Sequence, residues 1–238
     1  MTAMKNCDEL QFRALLAGLA QDVVDAHIYW NLWKGIQEKL KTSPEVYAES
    51  QTFWYYTLNA HLRTALASLA KAYDQGESSL HLRNWLDTIH ANLHLFSKSA
   101  YERRLSGDPF AKWLLTDVRE PDIDVLEADI KSCTKASKEV EALIKYRGGV
   151  LAHRGAKLAM NGENSKTPQL ETESVELLLN RANEILNRYS ILFMATAHSM
   201  TPVGHDDFRS IFHYMQSVLA SDKEKINAQA ASLTHDHC

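Results

Sequence analysis

The chain has 238 residues, of which 45% are apolar and 24% charged, and a formal net charge of −4. A chain of this length buries roughly 70% of its unfolded surface, and its ordinary composition excludes disordered and fibrous classes. Cys7, Cys133 and Cys238 lie far apart without a CxxC pair, which fits a reducing cytoplasm and argues against a disulfide framework or a cysteine–zinc site.

Taken in order, the segment MTAMKNCDELQF has acidic residues where an export signal needs an apolar stretch, so no signal peptide is expected. Phe12, Leu16, Leu19, Val23, Ala26, Trp30 and Trp33 fall three or four apart along a first helix. Ser43-Pro44-Glu45 reads as an N-cap with proline at the first helical position. Trp54, Leu58, Leu62, Ala65, Leu69 and Ala72 then trace one face of a second helix until Asp74-Gln75-Gly76. A shorter helix is predicted over Leu80 to Leu95, and a brief one opens at Asp108-Pro109 with Trp113 and Leu114.

From Asp122, the positions Leu126, Ile130, Cys133, Val140 and Ile144 repeat on one face of a single long helix, and Arg147 falls on that face. Gly148-Gly149 ends or bends it. Residues Arg154 to Glu173 contain Asn161-Gly162 and Thr167-Pro168 and read as a mobile loop. Helices over Ser174 to Met200 and Asp206 to Leu233 complete the chain. The apolar-leaning run Tyr189 to Met200 is shorter than the ~20 residues of a membrane-spanning helix. No alternating stretch proposes a sheet, and no repeat or low-complexity linker divides the chain. The expectation is an all-α protein with one domain over residues 1–233, a frayed tail over 234–238, no membrane association and a cytoplasmic location.

Several common sites are missing: no Gly-rich phosphate loop, GxSxG elbow or HExxH motif occurs. His90 and His94 share a helix face at metal-ligand spacing but lack a third ligand, and His235 with His237 in the tail is a weaker pair, so no metal and no cofactor is expected. The tryptophans at 30, 33, 54, 85 and 113 read as core rather than as a base-stacking platform.

Tyr146 to Arg154 is different. An arginine on the apolar face of a helix is costly unless its charge meets a partner, a ligand or another subunit. In an unbroken helix Arg147 and His153 would point about 120° apart, so they converge only if the chain bends, which Gly148-Gly149 permits. Residues 131–157 carry Lys131, Lys135, Lys138, Lys145, Arg147, Arg154 and Lys157 against Glu139 and Glu141, a local +5 that leaves −9 for the remainder. A concentrated basic segment on an acidic chain suits a phosphate-directed surface, although solvated charge runs on helices are common. Lys145, Arg154 and Lys157 are the candidate RNA-binding side chains.

These residues resemble a known family. HEPN domains carry arginine, four to six residues, then histidine, and five residues separate Arg147 from His153. ASLAKAYDQGESSLHLRNWL over residues 67–86, followed by YRGGVLAHRG over 146–155, resembles the abortive-infection AbiU-like branch of that superfamily, with the similarity covering most of residues 45–200. The resemblance implies a HEPN-type antiparallel helical bundle with additional helices. It also implies a homodimer whose two motifs meet across the interface, with Arg147 and His153 as catalytic residues of a metal-independent endoribonuclease.

The implied reaction is attack of an RNA 2′-hydroxyl on the neighbouring phosphate. A histidine of ordinary pKa, ~6.5, moves protons at neutral pH, and arginine holds a phosphate through paired hydrogen bonds. A toxin-like or phage-defence role with an antitoxin protein as partner follows from the same resemblance. Many active HEPN members have a polar residue directly after the motif arginine, where this chain has Gly148. The alternative is therefore a non-catalytic helical module that binds RNA or a partner protein. A small-molecule or metal-binding bundle rests only on His90 and His94.

Overall fold

In a computed structural model that describes residues 6–114, 120–151 and 169–235, the chain is all-α, and no strand occurs among the described residues. The helices are α1 (Glu9–Thr42), α2 (Pro44–Glu49), α3 (Gln51–Ala72), α4 (Leu82–Ala91), α5 (Lys98–Arg104), α6 (Ala111–Leu114), α7 (Ile123–Ser132), α8 (Lys138–Tyr146), α9 (Thr172–Met194) and α10 (Phe208–His235). A 3-10 turn, Leu93–Phe96, follows α4, and a π-helical turn, Arg147–Leu151, follows α8. The contacts sort into two compact units: Met1–His27 with Thr64–Met200, and Ile28–Arg63 with Thr201–Cys238.

The first unit combines apolar positions read from the sequence with Leu86, Leu143, Leu186 and Phe193, which the sequence reading did not single out. Phe12, Leu16, Leu19 and Val23 of α1, Leu69 of α3, Trp85 and Leu86 of α4, Leu126 of α7, Leu143 of α8 and Leu186 with Phe193 of α9 are all buried. Phe12 is central, with ring centroids 4.6 Å from Phe193, 5.4 Å from Phe96 and 5.9 Å from Trp85. Most buried polar groups are paired, as the cost of desolvation demands, while among the described residues Trp30 Nε1, Trp85 Nε1 and Arg104 Nη1 are buried without a hydrogen-bond partner. Tyr73 donates its hydroxyl to the Leu178 carbonyl at 2.8 Å, and Tyr189 donates to Asp129 at 2.8 Å, where Arg188 joins the same carboxylate. Burial, the hydrogen bond to Asp129 and that carboxylate's charge push the Tyr189 hydroxyl well above its ordinary value.

In the second unit, Ile36, Leu40, Val46, Trp54 and Phe212 are buried together, with Leu58, Phe208, Met215 and Leu219 packed around them. Trp54 stacks on Phe212 at 5.1 Å and donates its indole N–H to the Val46 carbonyl at 3.2 Å. Gly35 admits the Phe208 ring: a Cβ on it would stand 2.6 Å from Cζ.

Four expected elements are corrected. The second helix is interrupted at Ser50, which separates α2 from α3. The Leu80 to Leu95 helix ends at Ala91, where the buried Asn92 side chain donates to the Thr88 carbonyl and accepts from the Cys7 N–H, and His94 falls in the 3-10 turn, so His90 and His94 do not share a continuous helix. The long helix from Asp122 divides into α7 and α8. Thr134 donates its hydroxyl to the Lys131 carbonyl at 2.7 Å and accepts from the Ala136 N–H at 3.2 Å, giving the backbone an alternative to the helical ladder.

Helix α9 stops at Met194 rather than Met200. Ala195 adopts a left-handed conformation, and the Asn187 side chain binds the backbone N–H and carbonyl of His198 as the chain turns back. The loop expected over Arg154 to Glu173 lies mostly outside the described residues, with α9 already begun at Thr172. Helix α10 continues to His235, within the stretch expected to fray.

Candidate functional site

Helix α8 carries the site. Its buried Val140 and Leu143 anchor one face, and α-helical bonding ends at Tyr146, where the widened turn Arg147–Leu151 takes over. Glycine is the weakest ordinary helix former, so Gly148-Gly149 marks the point at which the narrower helix yields. Such π turns recur at functional sites. The expected end or bend at this pair is therefore a change of helical pitch that starts at Arg147.

Arg147 finds its charge partner far away in sequence. Its Nη1 donates to Asp74 Oδ1 at 2.6 Å, while the arginine side chain stays 40% exposed and the aspartate 23%. Asp74 sits just beyond the end of α3 in a loop held by its own hydrogen bonds. Oδ1 also accepts the Gln75 backbone N–H at 2.8 Å, and Oδ2 accepts the Ser79 hydroxyl at 2.9 Å. Burial raises the Asp74 carboxyl, but the hydrogen bonds from Gln75, Ser79 and Arg147, with the arginine's charge, outweigh it and hold the group below its ordinary value.

The loop closes at buried His81. Its Nδ1 accepts the Asn84 N–H at 3.3 Å and so caps α4, while Nε2 lies 3.1 Å from the Gly76 carbonyl, a pattern that calls for the Nε2–H tautomer. Burial keeps this imidazole below its ordinary pKa against the opposing effect of the Gly76 bond. Gln75 extends the loop's hold by donating its side-chain amide to the Cys133 carbonyl at 3.0 Å, at the end of α7. Burial pushes the Cys133 thiol up to about 12, which leaves it protonated and unreactive.

Lys145 is 64% exposed and pairs with Glu141 at 2.7 Å one turn earlier on α8. An exposed pair of this kind is worth ~0–1 kcal/mol, so the ammonium is readily exchanged to another anion. Lys138 likewise lies 3.8 Å from Glu139. His153, Arg154 and Lys157 lie outside the described residues. Among the described residues, no three His, Cys, Asp or Glu side chains gather closely enough to hold a metal ion, and no helix is long and apolar enough to cross a membrane.

The residue that the sequence reading missed is Asp74. It lies inside the 67–86 stretch, and the need of Arg147 for a partner was legible, but nothing in a sequence pairs residues 73 positions apart. Trp30, Trp54 and Trp85 are buried as expected, whereas Trp113 is exposed.

No curated protein and no solved structure shows significant similarity to the chain. The family model of the HEPN proteins called AbiU2 matches residues 9–211, a wider span than residues 45–200. That span takes in α1 to α9, both segments that meet at Asp74 and Arg147, and the first residues of α10. The chain therefore belongs to the AbiU2 family of HEPN proteins and is a HEPN module of the abortive-infection kind.

Proposed function

We propose that this protein is a metal-independent endoribonuclease of toxin or phage-defence type, acting at an Arg147/His153 site completed by a second copy of the chain. The observation that carries this reading is a half-exposed guanidinium, mounted on Asp74 by a 2.6 Å bond, at the head of the turn that leads into the motif. A guanidinium has five N–H donors. With Nη1 committed to Asp74, its exposed remainder is suited to a phosphate.

In the proposed reaction the RNA 2′-oxygen bonds to phosphorus as the bond from phosphorus to the 5′-oxygen breaks. A His153 imidazole takes the 2′-hydroxyl proton, and a second imidazole, that of the other copy, returns a proton to the leaving 5′-oxygen. Arg147 stabilises the charge that builds on the phosphoryl oxygens. Lys145, Arg154 and Lys157 add attraction for the backbone, which weakens as salt rises. An antitoxin protein is the expected partner that keeps the site silent.

The test is incubation of purified protein with single-stranded RNA in the presence of a chelator. Cleavage leaving 2′,3′-cyclic phosphate ends is expected, with His153→Ala and Arg147→Ala each losing ~10²-fold or more. Complete dependence on added magnesium would refute the mechanism. Gly148 favours the second reading, a non-catalytic module binding RNA or a partner protein, because a glycine supplies no side-chain contact beside Arg147. Salt-sensitive RNA binding without cleavage is its signature.

A further inference from the structure

The loop that holds Arg147 does more than neutralise it. Asp74 uses Oδ1 for both the Gln75 N–H and Arg147 and Oδ2 for Ser79, so the carboxylate plane is fixed from its own loop before the arginine arrives. The adjacent Gln75 binds the Cys133 carbonyl, the residue that closes α7, while Arg147 follows the last residue of α8. Two neighbouring residues of one loop thus grip the chain before and after α8. The far end of the loop is pinned in turn, since the Ser79 N–H donates to the Gly76 carbonyl at 3.3 Å and His81 caps α4.

Arg104, a buried arginine of the same unit, shows what a purely structural guanidinium looks like. The Arg104 side chain is 1% exposed, donates Nε and Nη2 to the Phe193 and Leu95 carbonyls at 2.6 and 2.7 Å, and lies 4.1 Å from the centre of the Phe193 ring. Arg104 also has a carboxylate, Glu9, 3.6 Å from Nη1 but is closed off from solvent, whereas Arg147 is held by a carboxylate fixed by its own loop and leaves its side chain 40% exposed. A flexible arginine brought to a phosphate must first lose side-chain freedom. One already held by a fixed carboxylate has lost most of it.

We infer that Asp74 is the positioning residue for Arg147: it fixes the guanidinium so that its open side meets the phosphoryl oxygens of the RNA as charge builds there. This rests on the ribonuclease reading above. Asp74 touches neither substrate nor reacting atoms, and its effect reaches the reaction only through Arg147. Because the arginine's charge survives when Asp74 is neutralised, the loss should fall on the chemical step more than on RNA affinity.

The experiment compares the full-length protein with Asp74→Asn, Ser79→Ala, Arg147→Ala and the Asp74→Asn/Arg147→Ala double variant, in RNA cleavage with chelator and in RNA binding. Asp74→Asn keeps the size and most acceptor capacity of the side chain but removes its charge. Its kcat should fall by ~10²-fold, the scale of a misplaced catalytic group, with KM and RNA affinity changed by less than about threefold. Ser79→Ala removes one of the hydrogen bonds that fix the carboxylate but leaves its charge, its Gln75 bond and its contact with Arg147, so its kcat should fall by no more than about tenfold, clearly less than that of Asp74→Asn. The double variant should lose no more than Arg147→Ala alone, because both act through one group.

Cleavage by Asp74→Asn at the wild-type rate overturns the positioning role. So does an equal loss in Ser79→Ala, which would mark a general effect of loop stability, and so do losses that multiply in the double variant. Wild-type protein that cuts no RNA overturns the ribonuclease reading, and Asp74's part in that reaction goes with it.

Discussion

The contact between Asp74 and Arg147 should be measurable as stability, and as stability that depends on pH. Hydrogen bonds to charged groups are worth ~1.5–3 kcal/mol when shielded, and exposed ion pairs ~0.2–1 kcal/mol. With the arginine 40% exposed and the aspartate 23%, this pair falls between those limits, at about 1 kcal/mol. For a chain in the 150–250 residue range that amounts to ~2–4 °C in melting temperature.

The carboxyl is held below its ordinary value of 3.8. The resulting stability is therefore fully present above that value and is lost as pH falls through the folded-state pKa. Arg147→Ala should thus destabilise by the full amount at neutral pH and by much less in acid, where Asp74 is protonated in both proteins. Part of the depression persists in this variant, because the Gln75 and Ser79 hydrogen bonds remain. Thermal melts of wild type, Asp74→Asn, Arg147→Ala and the double variant, run at neutral and acid pH, give the coupling directly. A coupling below ~0.3 kcal/mol at neutral pH, or one that is the same in acid, would refute this account of the pair.

Two further outcomes follow from the packing. Phe212→Ala removes a ring buried against Trp54 and should cost ~3–5 kcal/mol in the second unit, read as faster proteolysis of the Pro44–Glu49 and Phe208–His235 helices; a cost under ~1 kcal/mol would contradict that burial. A Cβ at Gly148 meets nothing within 4 Å, so Gly148→Asn should fold without loss, and a drop of more than ~1 kcal/mol would show that the glycine is sterically required. If the missing polar contact limits catalysis, cleavage by Gly148→Asn should exceed that of wild type.

Most of the fold was legible because its signals are local. The face Phe12 to Trp30 is set by periodicity and is buried, as are Trp54, Ala65 and Leu69 of α3 and Leu126, Cys133 and Val140 further on, whereas Leu58, Leu62, Ile130 and Ile144 of the same faces are only partly buried. Three of the four breaks absent from the sequence reading are places where a side chain competes with the backbone ladder: the Thr134 hydroxyl between α7 and α8, the Asn187 amide of α9 reaching His198 beyond its end, and the Asn92 amide after α4. In each case the polar residue looks permissible in a helix, and only its partner decides. The candidate site divides the same way. Arg147 stood out as a misplaced charge and Gly148-Gly149 as a break, whereas Asp74 is an ordinary aspartate after a helix until the two ends of a long sequence separation are brought together.

That long-range pairing bears on how the module works. The 67–86 and 146–155 stretches are the segments from which the resemblance to HEPN proteins is read, both lie within the 9–211 family match, and the 2.6 Å bond from Arg147 to Asp74 links them. Were Arg147 needed only to hold the fold, burial against carbonyl groups and an aromatic ring would serve, as Arg104 shows with its Phe193 and Leu95 carbonyl partners and the Phe193 ring. A half-exposed arginine on a pre-set carboxylate contributes only about 1 kcal/mol, a small return for a loop in which Gln75, Gly76, Ser79 and His81 are all tied by hydrogen bonds. An open guanidinium held in one orientation is, however, what binding a phosphate without further reorganisation requires. The rigidity of the loop is thus better matched to the demands of an anion-binding arginine than to those of a structural one.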